Sequence, residues 1–109
     1  MGRDLYIIQM ATTGDVKIGR SGDVTRRLRQ LQTGSPHELR LLLQLTGNGF
    51  YERRLHRQLY DYRLRKNGEW FRETCLPDLP DWIYEQLDLD GLDWWRGDPK
   101  AHPRPLCST

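Results

Sequence analysis

The sequence predicts a small α/β domain of the α+β kind, in which a three-stranded antiparallel sheet is flanked by helices. Two patterns support this class. Residues 5–10 and 16–18 are short runs rich in aromatic and β-branched residues, separated by turn-forming residues, as in a β-hairpin. Residues 24–32 and 50–62 place apolar residues at helical spacing. With 109 residues and 37% hydrophobic composition, the chain has enough apolar material for one compact core.

The hairpin places two polar side chains on one face of the sheet. If the loop within residues 11–15 has two or four residues, opposed positions have numbers that sum to 25. Ile8 then faces Lys17, and Tyr6 faces Gly19. Tyr6 and Lys17 become diagonal neighbours on the same face. A loop of odd length would separate them, because a shift of one residue moves every side chain to the other face.

A helix over residues 24–32 follows, with Asp23 as its N-cap and Gly34 just beyond its end. Its arginines fall on different sides of the apolar stripe, which is Val24, Leu28 and Leu31. Arg26 and Arg29 point away from the stripe, whereas Arg27 lies at its edge. Arg27 is therefore the arginine expected to reach the body of the domain.

Residues 39–45 form an aliphatic run that predicts the third strand. After Gly47-Asn48-Gly49, a second helix is predicted over residues 50–62, with its apolar stripe at Tyr51, Leu55, Leu59 and Tyr62. Glu52 lies at the edge of that stripe and His56 follows at i+4. Arg53, Arg54 and Arg57 cover the other side of this helix.

The last part of the chain has a weaker pattern. Asn67-Gly68 marks a turn, after which Trp70 and Phe71 are expected to anchor the last strand or turn to the core. A short helix is predicted over residues 80–87, packed through Leu79, Trp82, Ile83 and Leu87. We therefore divide the chain into a domain over residues 1–87 and an acidic tail over residues 88–109 that contains Trp, Pro and Gly.

Charge is distributed unevenly along the chain. Residues 1–72 contain 14 Lys or Arg and 7 Asp or Glu, whereas residues 73–109 contain 3 and 8. A basic N-terminal part rich in arginine favours a polyanion such as nucleic acid as partner, although an ordinary charged surface is an equal alternative. No apolar run approaches the roughly 20 residues of a membrane span, and residues 1–4 lead into a strand without a signal peptide. The two cysteines show no disulfide pattern, so we expect a cytoplasmic protein without a membrane partner.

Five side chains could form a site for phosphodiester cleavage, namely Tyr6, Lys17, Arg27, Glu52 and His56. A single carboxylate can hold Mg²⁺, which retains much of its water, while an arginine stabilises charge on the phosphate. A tyrosine of ordinary pKa, about 10, is a poor base at neutral pH, and a nearby ammonium would favour its ionised form. Each residue also has a simpler interpretation: a packing aromatic, an edge charge, a solvated arginine and a surface Glu–His pair.

In order along the chain, these residues resemble the GIY-YIG nuclease superfamily. Asp4-Leu5-Tyr6 stands at the Gly-Ile-Tyr position, and Lys17-Ile18-Gly19 stands at the Tyr-Ile-Gly position. Arg27 matches the arginine of the first helix, and Glu52 matches the metal-binding glutamate. The Glu-x-x-Leu-His run from Glu52 to His56 and the Gly-Glu-Trp-Phe box over residues 68–71 are similar to a phage and bacterial branch in which lysine replaces the second tyrosine. The resemblance covers residues 4–72.

The sequence departs from the family pattern at three points. Asp4 replaces the first glycine, Leu31 replaces an aromatic or histidine one turn after the arginine, and Asn67 is only a neighbour of the position expected for a late asparagine. The change at Leu31 favours a non-catalytic binding module as the alternative to an enzyme.

The resemblance implies a role for each candidate. Tyr6 is the general base, Lys17 is its electrostatic partner or a phosphate contact, and Arg27 stabilises the transition state. Glu52 binds Mg²⁺ or Mn²⁺. His56 is a further site contact, and Glu69 is structural. Arg20, Arg26, Arg29, Arg53 and Arg57 are expected to contact DNA.

The expected function is a metal-dependent DNA endonuclease with low sequence specificity, whose products carry a 5′-phosphate and a 3′-hydroxyl. Binding to phosphates would dominate its affinity and make it sensitive to salt. Two alternatives remain open. The chain could be a non-catalytic nucleic-acid-binding module on the same scaffold, or an interaction protein whose acidic tail docks on a protein partner.

Overall fold

The predicted hairpin forms the centre of the sheet in the computed structural model, which describes residues 2–65 and 68–87. Strand β1 spans Asp4–Met10 and β2 spans Val16–Ser21. They are antiparallel, and their register pairs Ile8 with Lys17 and Tyr6 with Gly19, as predicted. The turn is closed by a hydrogen bond from the Met10 backbone N–H to the Asp15 carbonyl, and Gly14 adopts a positive φ of 84° there.

The sheet has four strands, one more than predicted. Strand β3, Leu39–Leu45, lies on the free side of β1, as its aliphatic run predicted. The additional strand, β4, is the two-residue segment Trp70–Phe71, which pairs with β2 so that the order is β3-β1-β2-β4. Sequence pattern gives little signal for so short a strand, whose existence depends on a partner more than fifty residues away.

Alternation along β1 divides the core between the two faces of the sheet. Leu5 and Ile7 belong to the larger cluster, which also contains Leu55, Leu59 and Phe71. Tyr6 and Ile8 face the opposite side and pack with helix α1, Val24–Thr33. The Asp23 side chain accepts a hydrogen bond from the Arg26 backbone N–H, so the predicted N-cap of α1 is confirmed.

The predicted helix over residues 50–62 is divided into three parts. A 3₁₀ turn over Gly49–Tyr51 leads into helix α2, Glu52–Gln58, and a second 3₁₀ turn spans Tyr60–Tyr62. The break occurs at Leu59, whose φ and ψ of −102° and 20° no longer continue an α-helix. The predicted apolar stripe is nevertheless correct, because Leu55 and Leu59 are fully buried.

Residues 73–87 complete the core. A 3₁₀ segment over Glu73–Asp78 and helix α3, Asp81–Tyr84, bury Cys75, Leu76, Leu79 and Ile83 against α2 and the sheet. The last helix is shorter than the predicted 80–87, and Trp82, which was predicted to pack, is 40% exposed. Asn67 and the predicted tail over residues 88–109 lie outside the described residues. No helix within the described ranges has the length and apolar character to cross a membrane.

Candidate functional site

A polar cavity of about 400 Å³ lies where β1 begins and β2 ends. It is lined by side chains from both strands, from α1, from α2 and from the turn before β4: Arg3, Tyr6, Arg20, Ser21, Arg27, Glu52 and Glu69. Four predicted site residues, Tyr6, Arg20, Arg27 and Glu52, therefore share one cavity. They come from four separate parts of the sequence, which only the fold brings together.

The Tyr6 ring occupies the space that Gly19 leaves free because it has no side chain. The two residues are directly opposed across the β1–β2 ladder. A Cβ at Gly19 would lie 2.5 Å from Cζ of the Tyr6 ring, which is closer than any real contact. The glycine therefore makes the space into which the phenol ring packs, and Tyr6 is buried to 1% exposure.

The Tyr6 hydroxyl interacts with Arg27. Burial raises the pKa of Tyr6 above its usual value of 10.0, whereas the hydrogen bond and positive charge of Arg27 lower it. The negative charges of Glu69 and Glu52 add to the upward shift. The net result is a pKa above 10, so the phenol is protonated at neutral pH in the free protein. Arg27, at the half-buried edge of α1 as predicted, is the electrostatic partner of Tyr6.

Lys17 has a different partner from the one predicted. Its side chain is only 7% exposed, and its Nζ forms a salt bridge with the Glu69 carboxylate. Pairing of Lys17 with Trp70 across the β2–β4 ladder places Glu69 beside it. Burial raises the pKa of Glu69, but the hydrogen bond and charge of Lys17, together with the charges of His56 and Arg27, lower it, and the net direction is downward. Lys17 thus neutralises a carboxylate near Tyr6, and its ammonium is not among the groups that line the cavity.

Glu52 is positioned by the start of the second helical segment. The Gly49 backbone N–H donates to the Arg3 carbonyl at 2.6 Å, and a Cβ at Gly49 would lie 2.6 Å from that same oxygen. This close approach fastens the 3₁₀ turn before α2 to the residue that precedes β1. The Glu52 side chain is 15% exposed, and Arg20 Nε lies 3.8 Å from its Oε1, which is an ion pair beyond hydrogen-bond distance.

His56 fixes α2 to β2 and does not line the cavity. Its Nε2 lies 2.7 Å from the Ile18 carbonyl oxygen. Because a carbonyl oxygen only accepts, Nε2 carries the hydrogen and donates it. The ring also meets Phe71 edge to face, with centroids 5.0 Å apart. The structure thus gives His56 a positioning contact, where the sequence predicted a site contact.

Four of the five arginines predicted to contact nucleic acid are exposed on the two helices and do not line the cavity. Arg26 and Arg29 are exposed on α1, whereas Arg53 and Arg57 are exposed on α2. Arg20 is 47% exposed and lines the cavity itself. These side chains leave a positively charged, solvent-accessible surface on both helices.

Sequence reasoning missed three lining residues, Arg3, Ser21 and Glu69. The register carried the signal for Ser21, because numbers summing to 25 place it opposite Asp4 at the mouth of the hairpin. Glu69 was predicted to be structural, and its position by Lys17 depends on the unexpected strand β4. Arg3 had no pattern that distinguished it from other surface arginines.

Two carboxylates line the cavity, and their partners determine which of them could bind a metal ion. Glu69 is paired with Lys17, so Glu52 is the carboxylate left for a metal ion. The described residues contain no group of three or more His, Cys, Asp or Glu that could hold a metal. One carboxylate is a suitable donor set only for a hard cation that keeps most of its water or takes ligands from a bound phosphate, as Mg²⁺ does.

Fold and cavity together define a small α+β domain with a phenol, a guanidinium and a carboxylate gathered at one end of the sheet. The family model of the T5orf172 domain matches residues 5–95, and the chain therefore belongs to the T5orf172 domain family. This domain is nuclease-like or nucleic-acid-binding in character and occurs in phage and bacterial proteins. No curated protein and no solved structure matches the chain. The family match ends within the segment predicted as a tail.

Proposed function

We propose that this domain is a metal-dependent DNA endonuclease of the GIY-YIG type, which hydrolyses phosphodiester bonds with low sequence specificity. The observation that carries the proposal is the meeting of Tyr6, Arg27 and Glu52 in one cavity. These are the residues that the resemblance matches to the base, the phosphate-binding arginine and the metal ligand. A domain stabilised only by packing has no need to gather these three groups in a polar cavity.

Arg27 has two tasks in this proposal. Its positive charge acts on the Tyr6 hydroxyl, where it favours the phenolate, and Arg27 lines the cavity that a phosphate would enter. Stabilisation of the charge that develops on the phosphate is the larger contribution expected of such a group. As the base, Tyr6 must first release its own proton to solvent, and the charge of Arg27 favours the resulting phenolate. The phenolate oxygen then accepts a proton from the attacking water, and the buried ring holds that oxygen in place.

Glu52 would hold the cation. Bound Mg²⁺ or Mn²⁺ supplies positive charge that stabilises the transferring phosphate and the leaving oxygen. Arg20 Nε lies 3.8 Å from the Glu52 carboxylate, and its 47% exposed side chain can turn toward a phosphate when a substrate binds. His56 holds the helix that carries Glu52 through its hydrogen bond to Ile18.

Relaxation of a supercoiled plasmid tests the proposal. Wild-type protein with Mg²⁺ or Mn²⁺ is expected to nick or linearise the plasmid, and Glu52→Gln is expected to remove this activity while DNA binding persists. Glu85→Gln, which makes the same change in charge at an exposed position that does not line the cavity, is the matched control and should cut like wild type. Cleavage by Glu52→Gln at the wild-type rate would remove Glu52 from the metal role.

A non-catalytic nucleic-acid-binding module is the second candidate. It is favoured by the raised pKa of Tyr6 and by the position of Leu31, which packs against the sheet on the α1 side and leaves the cavity without the family's extra side chain. It predicts salt-sensitive DNA binding by wild type and by Glu52→Gln, with no metal-dependent cutting by either protein.

A further inference from the structure

A second groove, of about 460 Å³, adjoins the cavity and is built differently from it. Its lining contains two arginines, three glycines and one aromatic residue: Arg3, Arg20, Gly2, Gly47, Gly49 and Phe50. Arg3 and Arg20 also line the first cavity, so the two depressions are adjacent. Among the residues that the structure describes, no carboxylate lines this groove, in contrast to the cavity that holds Glu52 and Glu69.

Phe50 is the most exposed large apolar side chain of the described residues, with 70% of its surface accessible. Its ring nevertheless packs against Tyr51, with ring centroids 5.5 Å apart. Tyr51 is itself held by the edge of Trp82 at 5.1 Å and by the Arg54 guanidinium at 5.0 Å. The ring is therefore a supported flat surface beside positive charge.

We infer that Phe50, Arg3 and Arg20 form a stacking subsite for one unpaired nucleobase next to the cavity, and that the substrate class is DNA with a single-stranded nucleotide at that place. An aromatic face binds any base by stacking, while arginines bind the adjoining phosphates. At Gly47 a Cβ would meet nothing within 4 Å, so the bare backbone there leaves room for the nucleotide to approach closely. A base inside a continuous duplex is already stacked on its neighbours and cannot use the Phe50 ring in this way.

The neighbouring cavity determines where the phosphate beside the stacked base would lie. Arg3 and Arg20 belong to both depressions, so the phosphate next to the stacked base lies at the entrance to the Tyr6–Arg27–Glu52 cavity. That this phosphate is the one that is cut rests on the proposed function. The stacking itself requires only that the domain binds DNA.

The test measures binding in EDTA, where metal-dependent cleavage cannot contribute. Fluorescence anisotropy compares a short single-stranded oligodeoxynucleotide, a duplex with a single-stranded flap and a continuous duplex, at one salt concentration. Phe50→Ala is expected to weaken binding of the first two by roughly 5- to 30-fold and binding of the continuous duplex by less than about 2-fold. Phe50→Trp should retain the affinity for all three, since it preserves the aromatic face.

A matched control and a spectroscopic readout make the result specific. Tyr60 is 55% exposed but does not line the groove, so Tyr60→Ala should bind all three probes like wild type. A 2-aminopurine base in the single-stranded probe should be quenched by wild type and by Phe50→Trp, and not by Phe50→Ala. Circular dichroism checks that each variant is folded.

Two outcomes would overturn the inference: equal effects of Phe50→Ala on paired and unpaired probes, or loss of affinity for the continuous duplex alone. The proposed nuclease activity is judged separately. If Phe50→Ala selectively weakens single-stranded binding but no plasmid is cut, the subsite stands and the nuclease proposal fails. If the plasmid is cut but Phe50→Ala changes no affinity, the nuclease proposal stands and the subsite inference fails.

Discussion

Gly19 and Tyr6 occupy one space on two adjacent strands, because the phenol ring of Tyr6 lies where a side chain on Gly19 would be. The glycine of the Lys17-Ile18-Gly19 run is therefore a packing requirement for the tyrosine that the proposal makes the base. Its φ is not positive, so the requirement concerns space and not backbone conformation.

Gly19→Ala is accordingly expected to displace the Tyr6 ring. The overpacking should lower the free energy of unfolding by about 1–3 kcal/mol, and a misplaced hydroxyl should slow plasmid cleavage by roughly 10- to 100-fold. Gly22→Ala is the control, since a Cβ there meets nothing within 4 Å. Chemical denaturation and cleavage rates of both variants measure the effect, and equal behaviour of the two would contradict the packing account.

The balance of effects on Tyr6 predicts the direction of its titration in metal-free protein. Burial raises the pKa of Tyr6, and the Arg27 hydrogen bond and charge partly oppose that rise. Arg27→Met removes the opposing effect, so the pKa of Tyr6 should rise further. Absorbance at about 295 nm follows tyrosinate formation, and subtraction of the matching Tyr6→Phe titration isolates this residue. A fall in the pKa of Tyr6 on loss of Arg27 would show that the guanidinium does not interact with the phenol.

The Lys17–Glu69 salt bridge predicts a pH-dependent contribution to stability. Burial raises the pKa of Glu69, but Lys17 together with the charges of His56 and Arg27 lowers it, so the folded-state pKa lies below the ordinary value of 4.5. The contribution is therefore fully present above pH 4.5 and is lost as the pH falls through the lower, folded-state value. Since the Glu69 side chain is 44% exposed, we expect Glu69→Gln to cost only about 1 kcal/mol at pH 7.

Urea denaturation at several pH values measures this contribution. The difference in unfolding free energy between wild type and Glu69→Gln should shrink as the pH is lowered from about 5 to about 3. Glu38→Gln, at an exposed carboxylate, controls for the general effect of removing one negative charge. A difference that stays constant over this range would show that the ionised form of Glu69 does not stabilise the fold.

The arginines in the cavity predict that metal binding depends on DNA. Arg3, Arg20 and Arg27 line the same cavity as Glu52, and their charges oppose the entry of a cation until a phosphate neutralises them. Mn²⁺ should therefore bind at least 10-fold more tightly in the presence of a phosphorothioate oligonucleotide, within the usual range of coupling between ligands. Electron paramagnetic resonance of free Mn²⁺ measures both affinities.

The same titration with Glu52→Gln should show no such gain, whereas Glu85→Gln should behave like wild type. Tight Mn²⁺ binding without DNA, or a gain that survives in Glu52→Gln, would place the cation elsewhere.

The sequence was most informative where local geometry decides position. The hairpin register predicted that Tyr6 faces Gly19, and helical spacing predicted Arg27 at the edge of α1 and the buried stripe of α2. These features depend on strand alternation and helical periodicity, which are properties of residues close together in the sequence.

The parts that were missed depend on distant partners. Glu69 lies beside Lys17 because a two-residue strand pairs with β2. The helix break at Leu59 lies in a core that Leu59 shares with residues 73–87, which the local pattern does not contain. Lys17 was therefore assigned to Tyr6, its neighbour within the hairpin, or to a phosphate. In the structure its ammonium instead forms a salt bridge with Glu69.

The most direct test of the nuclease proposal follows one labelled DNA substrate with wild type and Glu52→Gln, measuring binding in EDTA and cutting after addition of Mg²⁺ or Mn²⁺. The proposal predicts equal binding by both proteins, cutting by wild type alone, and products with a 5′-phosphate and a 3′-hydroxyl that DNA ligase can rejoin. Equal binding without any cutting by wild type, on paired, flapped and single-stranded substrates alike, would contradict it and identify the domain as a binding module.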